Sequence, residues 1–372
     1  MRIAAKHAHD IPPDYYELRW NYPKGSPVKL DEIVSRLQAW IRDAYGVGAQ
    51  IDAARFLGGH SGLTIGFDVI LPDGGADRLV LKMPPPGAAA KDNFDVVRQV
   101  PLLNVLTAHG IPAPQVRWYS DDVSVFGGPY LMTCRLPGAP LPDVFGPNAG
   151  IGVVDVPNLF NDAVANLVKI HAIDGVTELA DWSSPRLVHD EIEHWVRVLH
   201  KSTNADWTRK GMALRDLLKR KAPARCTIGI VHGDFYSNNW LFRDGRLSGI
   251  VDWEGTSVGP ILLDLGWLCM MYDEESWGPI RRTSMNWHPR PASFISRYSE
   301  LSQVNLADLP FYRGLAGYRV ACLSAYYYEL HRKGKRNNPA WEVFAEAFPF
   351  IIDRSIALVT RDSARLGATG IC

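Results

Sequence analysis

The sequence lacks a cysteine framework and lacks an excess of charge of either sign. Its five cysteines, Cys134, Cys226, Cys269, Cys322 and Cys372, are scattered and show no CxxC spacing. An odd, scattered set favours reduced thiols in a cytoplasm over a disulfide scaffold or a zinc site. The 40 basic and 40 acidic residues cancel, so no overall field draws the protein to nucleic acid or to an anionic membrane.

The sequence also lacks a hydrophobic run long enough to cross a bilayer. The apolar stretch from Pro260 to Tyr272 is too short and is interrupted by Asp264. The first residues carry Lys6, His7 and Asp10 without an apolar run, so we expect no secretory signal. Internal repeats and low-complexity tracts are absent as well. These absences predict a cytoplasmic globular protein that has neither a membrane nor nucleic acid as its partner.

The first third of the chain alternates between helical and strand patterns. Residues 1–29 are rich in Tyr, Pro and His and predict an irregular arm. Apolar residues at helical spacing predict a helix from Leu30 to Tyr45 and another between about Lys91 and His109. Turn signals and apolar runs predict a five-strand antiparallel sheet, with strands that include residues 65–71, 79–83, 116–119 and 130–133.

Beyond Leu136 the pattern becomes mainly helical, with a small sheet around residues 230–254. Helices are predicted near residues 159–170, 191–199, 207–218, 262–272, 311–331 and 341–366. This order predicts an α+β fold of two lobes with a cleft between them. We expect residues 30–135 to form an N-lobe and residues 136–372 to form a C-lobe.

The stretch from Ile230 to Glu254 carries most of the polar chemistry. Apolar runs separated by polar loops predict strand, loop, short strand, turn and strand. Asp234, Asn239 and Asp252 then lie in a loop and at strand ends. Three oxygen donors that meet there would suit a divalent cation and a proton-accepting carboxylate.

Two earlier features supply further parts that a phosphoryl-transfer site needs. Glycine-rich residues 58–62 can bring backbone N–H groups close to phosphates, because glycine tolerates the required dihedrals. Lys82 ends an apolar strand, where its ammonium group could reach an anion. Each feature alone is weak, since most such turns are ordinary hairpins and most such lysines lie at the surface. Together with Asp234, Asn239 and Asp252, in this order, they indicate phosphoryl transfer.

This ordered set resembles the aminoglycoside phosphotransferase/choline kinase-like superfamily, whose members share the bilobal protein-kinase-like fold. The resemblance covers about residues 50–270 and rests on three segments: HGDxxxxN from His232 to Asn239, IVDWE from Ile250 to Glu254, and DLGWL from Asp264 to Leu268. Residues 58–64, 79–82 and 118–122 are similar to one branch in particular. That branch comprises the kinase-like domains associated with acyl-CoA dehydrogenases.

The resemblance implies an ATP- and Mg²⁺-dependent kinase that phosphorylates a hydroxyl group of a small molecule. It implies that Asp234 orients or deprotonates the acceptor hydroxyl, and that Asn239 and Asp252 bind Mg²⁺. His232 would brace the catalytic loop, and Asp264 would bind the backbone of that loop. The residues implied to bind the nucleotide are Lys82, Gly59, His60, Ser61, Gly62, Met132 and Cys134.

One position departs from the kinase pattern. Kinases pair the strand lysine with a helix glutamate, whereas this chain has Gln99 at the corresponding place. Gln99 cannot form an ion pair with Lys82, so either Asp95 substitutes or the pair is absent. A catalytically impaired, nucleotide-binding regulator is therefore one alternative. A protein kinase is disfavoured, because no D-F-G or A-P-E-like segment follows Asp252.

The acceptor has to be inferred from the C-terminal third of the chain. Residues 281–336 contain ten basic and three acidic residues. Arg313 and Arg319 lie in an otherwise apolar helical stretch and are candidate pocket residues, whereas residues 332–336 suggest a solvated basic face. A basic acceptor side favours an anionic small molecule, such as a hydroxy-acid or a hydroxyacyl-CoA-like thioester. An aminoglycoside-type antibiotic kinase is the other alternative.

Overall fold

The structure is a computed structural model that describes residues 30–57, 62–85, 94–141, 155–278, 288–335 and 340–361. The predicted arm over residues 1–29 lies outside these ranges, as do residues 58–61 of the glycine-rich turn and the last residues of the final predicted helix. The chain forms two compact units. One comprises Met1–Pro137 and Gly249–Glu254, and the other comprises Gly138–Ser248 and Gly255–Cys372.

The first unit is built on a five-stranded antiparallel sheet. Its strands are β1 (Gln50–Phe56), β2 (Leu63–Ile70), β3 (Ala76–Met83), β4 (Val116–Ser120) and β5 (Tyr130–Cys134). They lie in the order β1-β2-β3-β5-β4, and each neighbouring pair is antiparallel. The predicted sheet is therefore confirmed, with every predicted strand present at close to its expected position.

Helices α1 (Leu30–Tyr45), α2 (Gln99–Ala108) and the short α3 (Val123–Phe126) complete the described part of this unit. Helix α1 begins and ends at the predicted residues. Helix α2 begins later than the apolar pattern suggested, and Pro101 lies in its first turn. Proline is tolerated there because a backbone N–H in the first turn has no partner within the helix.

The spacing of apolar residues along the helix and the strands explains which side chains form the core of the first unit. Ile33, Leu37 and Ile41 lie on one face of α1 and join a buried cluster with alternate residues of β2 and β3. Leu81 and Met83 of β3 belong to this cluster. The side chain between them therefore leaves the strand on the opposite face.

The second unit is mainly helical. Its described helices are α4 (Val156–His171), α5 (Gly175–Glu178), α6 (Val188–Leu199), α7 (Ala205–Lys221), α8 (Leu262–Met271), α9 (Glu274–Trp277), α10 (Pro291–Leu301), α11 (Leu309–Arg332) and α12 (Ala340–Thr360). Strand β6 (Ile228–Val231) pairs with β9 (Ser257–Pro260), and β7 (Trp240–Arg243) pairs with β8 (Arg246–Ile250). The α+β fold predicted from the sequence is thus confirmed.

Helix α8 packs closely against α11. A Cβ atom at Gly266 would lie 2.7 Å from the carbonyl carbon and oxygen of Tyr312, so only glycine permits this approach. Both helices are largely buried along the contact. The position of α8, which begins with the residues around Asp264, is therefore set by its fit against α11.

Among the described helices, none combines the length and the apolar character that a membrane span requires.

Candidate active site

The loop that follows β6 is fixed through its backbone. The N–H groups of His232 and Gly233 donate to Oδ2 and Oδ1 of Asp264, at 2.7 and 2.8 Å. Asp264 is completely buried in the first turn of α8. A buried carboxylate that accepts two backbone N–H groups holds the chain tightly, because charge-assisted hydrogen bonds are short and strong. The structure thus gives Asp264 the contact that the family resemblance implied.

Gly233 takes a conformation that other residues adopt only with strain. Its φ is +85°, in the left-handed region that glycine enters freely. A Cβ atom at this position would lie only 2.5 Å from the carbonyl oxygen of Gly255. The turn into Asp234 therefore depends on glycine for both its backbone angle and its space.

Asp234 and Asn239 are joined side chain to side chain. Nδ2 of Asn239 donates to the carbonyl oxygen of Asp234 at 2.8 Å and to its Oδ2 at 2.9 Å. Both partners only accept, so the amide nitrogen must face them and the amide oxygen must point elsewhere. Asn239 is buried in the short 3₁₀ turn Ser237–Asn239, while Asp234 is half-buried. The arrangement orients one carboxylate oxygen and leaves the Asn239 oxygen available as a ligand.

His232 and Tyr272 hold the two sides of this loop. The N–H of Asp234 donates to Nδ1 of His232 at 3.2 Å, which is the bracing contact expected of that histidine. The hydroxyl of Tyr272 donates to Oγ of Ser237 at 2.7 Å, and Ser237 is completely buried. The segment from His232 to Asn239 is thus held from outside by Asp264 near its start and by Tyr272 near its end.

His171, the last residue of α4, belongs to the same network. Its Nε2 lies 3.4 Å from Oδ2 of Asp264, and its Nδ1 lies 2.7 Å from the hydroxyl of Tyr298. Burial and the charge of Asp264 raise the pKa of Tyr298, which keeps its phenol protonated. His171 thus lies between the Asp264 carboxylate and the Tyr298 hydroxyl and links them. No local pattern marks this role, because the partners are distant in sequence.

Arg313 and Arg319 are engaged inside the second unit. Arg313 donates to Oδ2 of Asp273 at 2.7 Å, and Arg354 donates to the same oxygen at 2.9 Å. Arg319 donates to the carbonyl oxygen of Gly233. The hypothesis that these two arginines form the acceptor pocket is thus not favoured, since both already have partners within the protein.

Other basic residues of the C-terminal third are also paired with acids. Arg290 pairs with Glu274, Arg297 with Glu300, and Lys333 with Glu329. Counting charges over residues 281–336 overstated the free positive charge, because Glu274 and other partners lie outside that window. Arg281, Arg282 and Arg336 lie outside the described residues.

Of the nucleotide-binding candidates, Lys82, Met132 and Cys134 lie on the sheet of the first unit. Lys82 is half-buried on β3, opposite Thr64 of β2 and Leu131 of β5. Gly62 begins the approach to β2, where a Cβ atom would lie 2.3 Å from the carbonyl oxygen of Met83. Gly59, His60 and Ser61 lie outside the described residues.

Met132 and Cys134 lie on β5, beside β3. Met132 is completely buried, and Cys134 donates its N–H to the carbonyl oxygen of Gln115 at 2.9 Å. The N–H of Cys134 is therefore already hydrogen-bonded to Gln115. A contact between Cys134 and an adenine ring would have to use a different atom of Cys134. Gln99, which stands in place of the helix glutamate, is buried. Asp95, the possible substitute, accepts a hydrogen bond from the N–H of Arg98 at 3.0 Å.

Asp252 lies on the segment Gly249–Glu254, which belongs to the first unit. Its φ of +67° is unusual for a residue other than glycine and stores backbone strain. The chain is anchored just before it, where the N–H of Ile250 donates to the carbonyl oxygen of Pro112 at 2.8 Å. Strain of this kind persists only where the surroundings enforce it, and it concentrates at functional sites.

The oxygen donors fit a magnesium ion. Mg²⁺ is usually bound by one or two protein oxygens together with substrate phosphates and water. In chemical type, the amide oxygen of Asn239 in the second unit and the carboxylate of Asp252 in the first unit are donors of this kind. Within the described ranges there is no cluster of three or more His, Cys, Asp or Glu side chains that could hold a metal, and such a magnesium site requires none.

Comparison with known proteins points to one family. The model of the phosphotransferase enzyme family matches residues 58–293. A probable acyl-CoA dehydrogenase of Arabidopsis thaliana, IBR3, is 27% identical over 208 residues, covering 52% of this chain and 25% of its own length. Acyl-CoA dehydrogenase family member 11 of Gallus gallus is 22% identical over 302 residues, covering 77% of this chain and 38% of its own length. The chain thus spans between a quarter and two fifths of the length of these relatives.

An antibiotic-modifying enzyme also matches. Viomycin phosphotransferase of Streptomyces vinaceus is 30% identical over 159 residues, which cover 41% of this chain and 53% of that enzyme. The identity is higher than for the acyl-CoA dehydrogenase relatives, but it extends over a shorter stretch. Both kinds of relative therefore bear on the choice of acceptor.

Solved structures agree on the fold. A protein of Ralstonia eutropha JMP134 assigned as an aminoglycoside phosphotransferase aligns with a TM-score of 0.69 at 20% identity, over 88% of this chain and 98% of that chain. A thermostable mutant of aminoglycoside phosphotransferase APH(4)-Ia, in a ternary complex with ADP and hygromycin B, aligns with a TM-score of 0.55 at 16% identity, over 90% and 99%. Identities this low support the shared fold alone.

Proposed function

Because the chain belongs to the phosphotransferase enzyme family, we propose that it transfers the γ-phosphate of ATP to a hydroxyl group of a small molecule. The observation that carries this proposal is the pair formed by Asp234 and Asn239, in a loop whose backbone is held by Asp264. A carboxylate held in this way, with one face oriented by an amide, is suited to accept a proton from a hydroxyl group.

The chemistry assigns separate tasks to the candidate residues. Asp234 orients the acceptor hydroxyl and takes its proton as the hydroxyl oxygen bonds to the γ-phosphorus and the bond from phosphorus to ADP breaks. Asn239 and Asp252 would hold Mg²⁺, which, when bound, neutralises charge on the phosphates. Lys82 would bind the phosphates together with the turn residues Gly59, His60, Ser61 and Gly62. Met132 and Cys134 would border the adenine ring.

For the acceptor we propose an anionic hydroxy compound, either a hydroxy-acid or a hydroxyacyl-CoA-like thioester. The relatives named as acyl-CoA dehydrogenases support this class.

The match with viomycin phosphotransferase favours a second candidate, an antibiotic kinase. The two candidates predict acceptors of opposite charge, since aminoglycosides are polycations and require carboxylates in the acceptor pocket. A panel of acceptors therefore separates them.

The deciding experiment measures ADP release from ATP and Mg²⁺ with hydroxy-acids, hydroxyacyl-CoA thioesters, choline, aminoglycosides and viomycin. We expect turnover with an anionic acceptor, loss of that turnover in Asp234→Ala, and retained nucleotide binding in this variant. Asp216→Ala, at an exposed surface position, is the control and should match the wild type. Turnover only with antibiotics would reject the anionic acceptor. Nucleotide binding without turnover on any acceptor would instead support the regulator.

A further inference from the structure

The carbonyl group of Gly233, directly before Asp234, has a partner from outside the recognised motifs. Every other backbone N–H and C=O group of residues 232–234 bonds to a side chain near the motifs, namely that of His232, Asn239, Thr256 or Asp264. The carbonyl oxygen of Gly233 instead accepts from the guanidinium group of Arg319 on helix α11. Arg319 also lies beyond residue 293, where the match with the family model ends.

The guanidinium group of Arg319 is held between two aromatic side chains. Its central carbon lies 4.8 Å from the ring centroid of Trp195 on α6 and 4.3 Å from that of Trp267 on α8. Cations bind the faces of indole rings, and a planar guanidinium stacks on them where an ammonium group would not. Arg319 therefore reaches the loop from a position fixed by three helices.

A buried acid balances the charge of Arg319. Glu191 is buried and accepts from Nε1 of Trp195 at 2.7 Å. Burial alone would raise the pKa of Glu191, yet the charges of Arg319 and Arg186 bring it below its usual value. The arginine is thus part of an electrostatic unit, in which Trp195 links Glu191 to the face of the guanidinium.

We propose that Arg319 is a positioning residue for Asp234. The peptide between Gly233 and Asp234 is held by Arg319 at its carbonyl oxygen and by His232 at its N–H group. Fixing that peptide plane fixes the Cα position of Asp234 and the direction in which its carboxylate leaves the chain. This inference rests on the proposed function, because it gives Asp234 the role of orienting the acceptor hydroxyl.

The test compares Arg319→Met and Arg319→Lys with the control Arg313→Met. Arg313 lies on the same helix and is similarly buried, but its guanidinium group pairs with Asp273. The readouts are kcat, the Kd for nucleotide, and backbone hydrogen exchange over residues 230–239, all measured in the full chain well below the unfolding temperature. Arg319→Lys keeps the positive charge and most of the aliphatic side chain. It therefore replaces Arg319→Met in the test if Arg319→Met does not fold.

For Arg319→Met we expect kcat to fall about 100-fold, the size of loss that a misplaced catalytic group causes. The Kd for nucleotide should stay within about twofold, and exchange in the loop should become roughly tenfold faster, as expected on losing a hydrogen bond to a charged group. In Arg319→Lys, hydrogen exchange in the loop should be faster than in the wild type and slower than in Arg319→Met. Arg313→Met should lower the unfolding temperature and leave kcat and loop exchange unchanged.

Three outcomes would count against the proposals, the first against the proposed function and the other two against the positioning role. If the wild type transfers phosphate to no acceptor, the proposed function fails, and hydrogen exchange alone decides whether Arg319 holds the loop. The positioning role is wrong if both Arg319 variants have the same kcat and the same rate of loop hydrogen exchange as Arg313→Met. An equal slowing of kcat by Arg319→Met and Arg313→Met, without a change in loop exchange, would equally reject it.

Discussion

Asn239 contacts Asp234 at two points through a single nitrogen, its Nδ2, which lies 2.8 Å from the carbonyl oxygen and 2.9 Å from Oδ2. The direction of the Asp234 carboxylate is thereby tied to the backbone of its own loop. The amide oxygen of Asn239 takes no part in these bonds. One residue can thus orient the proposed base and, with the oxygen it keeps, bind the proposed cation.

Replacing Asn239 with leucine, which has a similar shape, should impair both tasks. We expect kcat to fall about 100-fold, because the base loses its orientation, and the Mg²⁺ concentration for half-maximal activity to rise roughly tenfold or more. Titration of activity with Mg²⁺ at saturating ATP measures both effects. The control Asn166→Leu removes an amide that donates to the carbonyl oxygen of Asp162 on α4. An unchanged Mg²⁺ requirement in Asn239→Leu would contradict the ligand role.

Replacing Lys82 with methionine should weaken nucleotide binding. The change keeps the apolar stem on β3 and removes the charge proposed to bind phosphates, so we expect the Kd for ATP to rise roughly tenfold. Arg78→Met on the same strand is the control, since the ion pair of Arg78 with Asp68 is long, 3.9 Å, and exposed. Calorimetric titration with ATP compares the two variants. Equal affinities would show that Lys82 is a surface residue without a role in binding.

Local periodicity predicted most of the fold. Helix α1 and the strands of the first unit have a sharp apolar period, and the structure places them close to the predicted residues. Helix α10 was missed because it buries little of its surface: of its residues, only Phe294 and Tyr298 are buried. A helix with so narrow an apolar face has a weak period, and its pattern does not stand out from that of a loop.

The candidate site was predicted where its chemistry lies within short motifs. The motifs that contain Asp234, Asn239 and Asp264 have a recognisable spacing. In the structure, Asn239 bonds to Asp234 within one loop, and Asp264 bonds to the backbone of that loop. The contacts of His171 and Arg319 could not be found in that way, because each partner is distant in sequence and the tertiary fold alone brings them together. The same limit applies to counting basic residues, because Arg290 and Arg313 pair with acids that are distant in sequence.

Gly266→Ala should destabilise the protein although alanine is the better helix former. The new Cβ atom would lie 2.7 Å from the backbone of Tyr312, so α8 must shift away from α11. We expect a net loss of about 1–3 kcal/mol in the free energy of unfolding, typical of overpacking. Because Asp264 lies on the same helix, kcat should fall as well. Urea unfolding and steady-state kinetics measure the two effects.

Gly128→Ala is the control for that change. A Cβ atom there would meet its nearest neighbour, the terminal carbon of Met83, at 3.9 Å, which is an ordinary contact. We expect its unfolding free energy and kcat to remain close to those of the wild type. If Gly266→Ala behaves like Gly128→Ala, the close approach of α8 to α11 does not constrain the loop.

Glu191→Gln should change how the stability of the protein depends on pH. Burial raises the pKa of Glu191, but the charges of Arg319 and Arg186 overcome this and hold it below its usual value. A carboxyl with a lowered folded-state pKa contributes stability above the unfolded-state pKa, about 4.3, and loses it as pH falls through the folded-state pKa. The wild type should therefore be more stable than Glu191→Gln at pH 7, by about 2 kcal/mol for hydrogen bonds to a charged group.

The difference between the two proteins should shrink as the pH falls below about 4.3, because protonated Glu191 resembles glutamine. Urea unfolding at pH 7, 5, 4 and 3.5 follows this change. Glu32→Gln, on the exposed face of α1, should differ from the wild type by no more than about 0.5 kcal/mol at any of these values. A constant gap between wild type and Glu191→Gln across the range would mean that Glu191 does not balance the charge of Arg319. The arginine would then be held beside Gly233 by its two indole contacts alone.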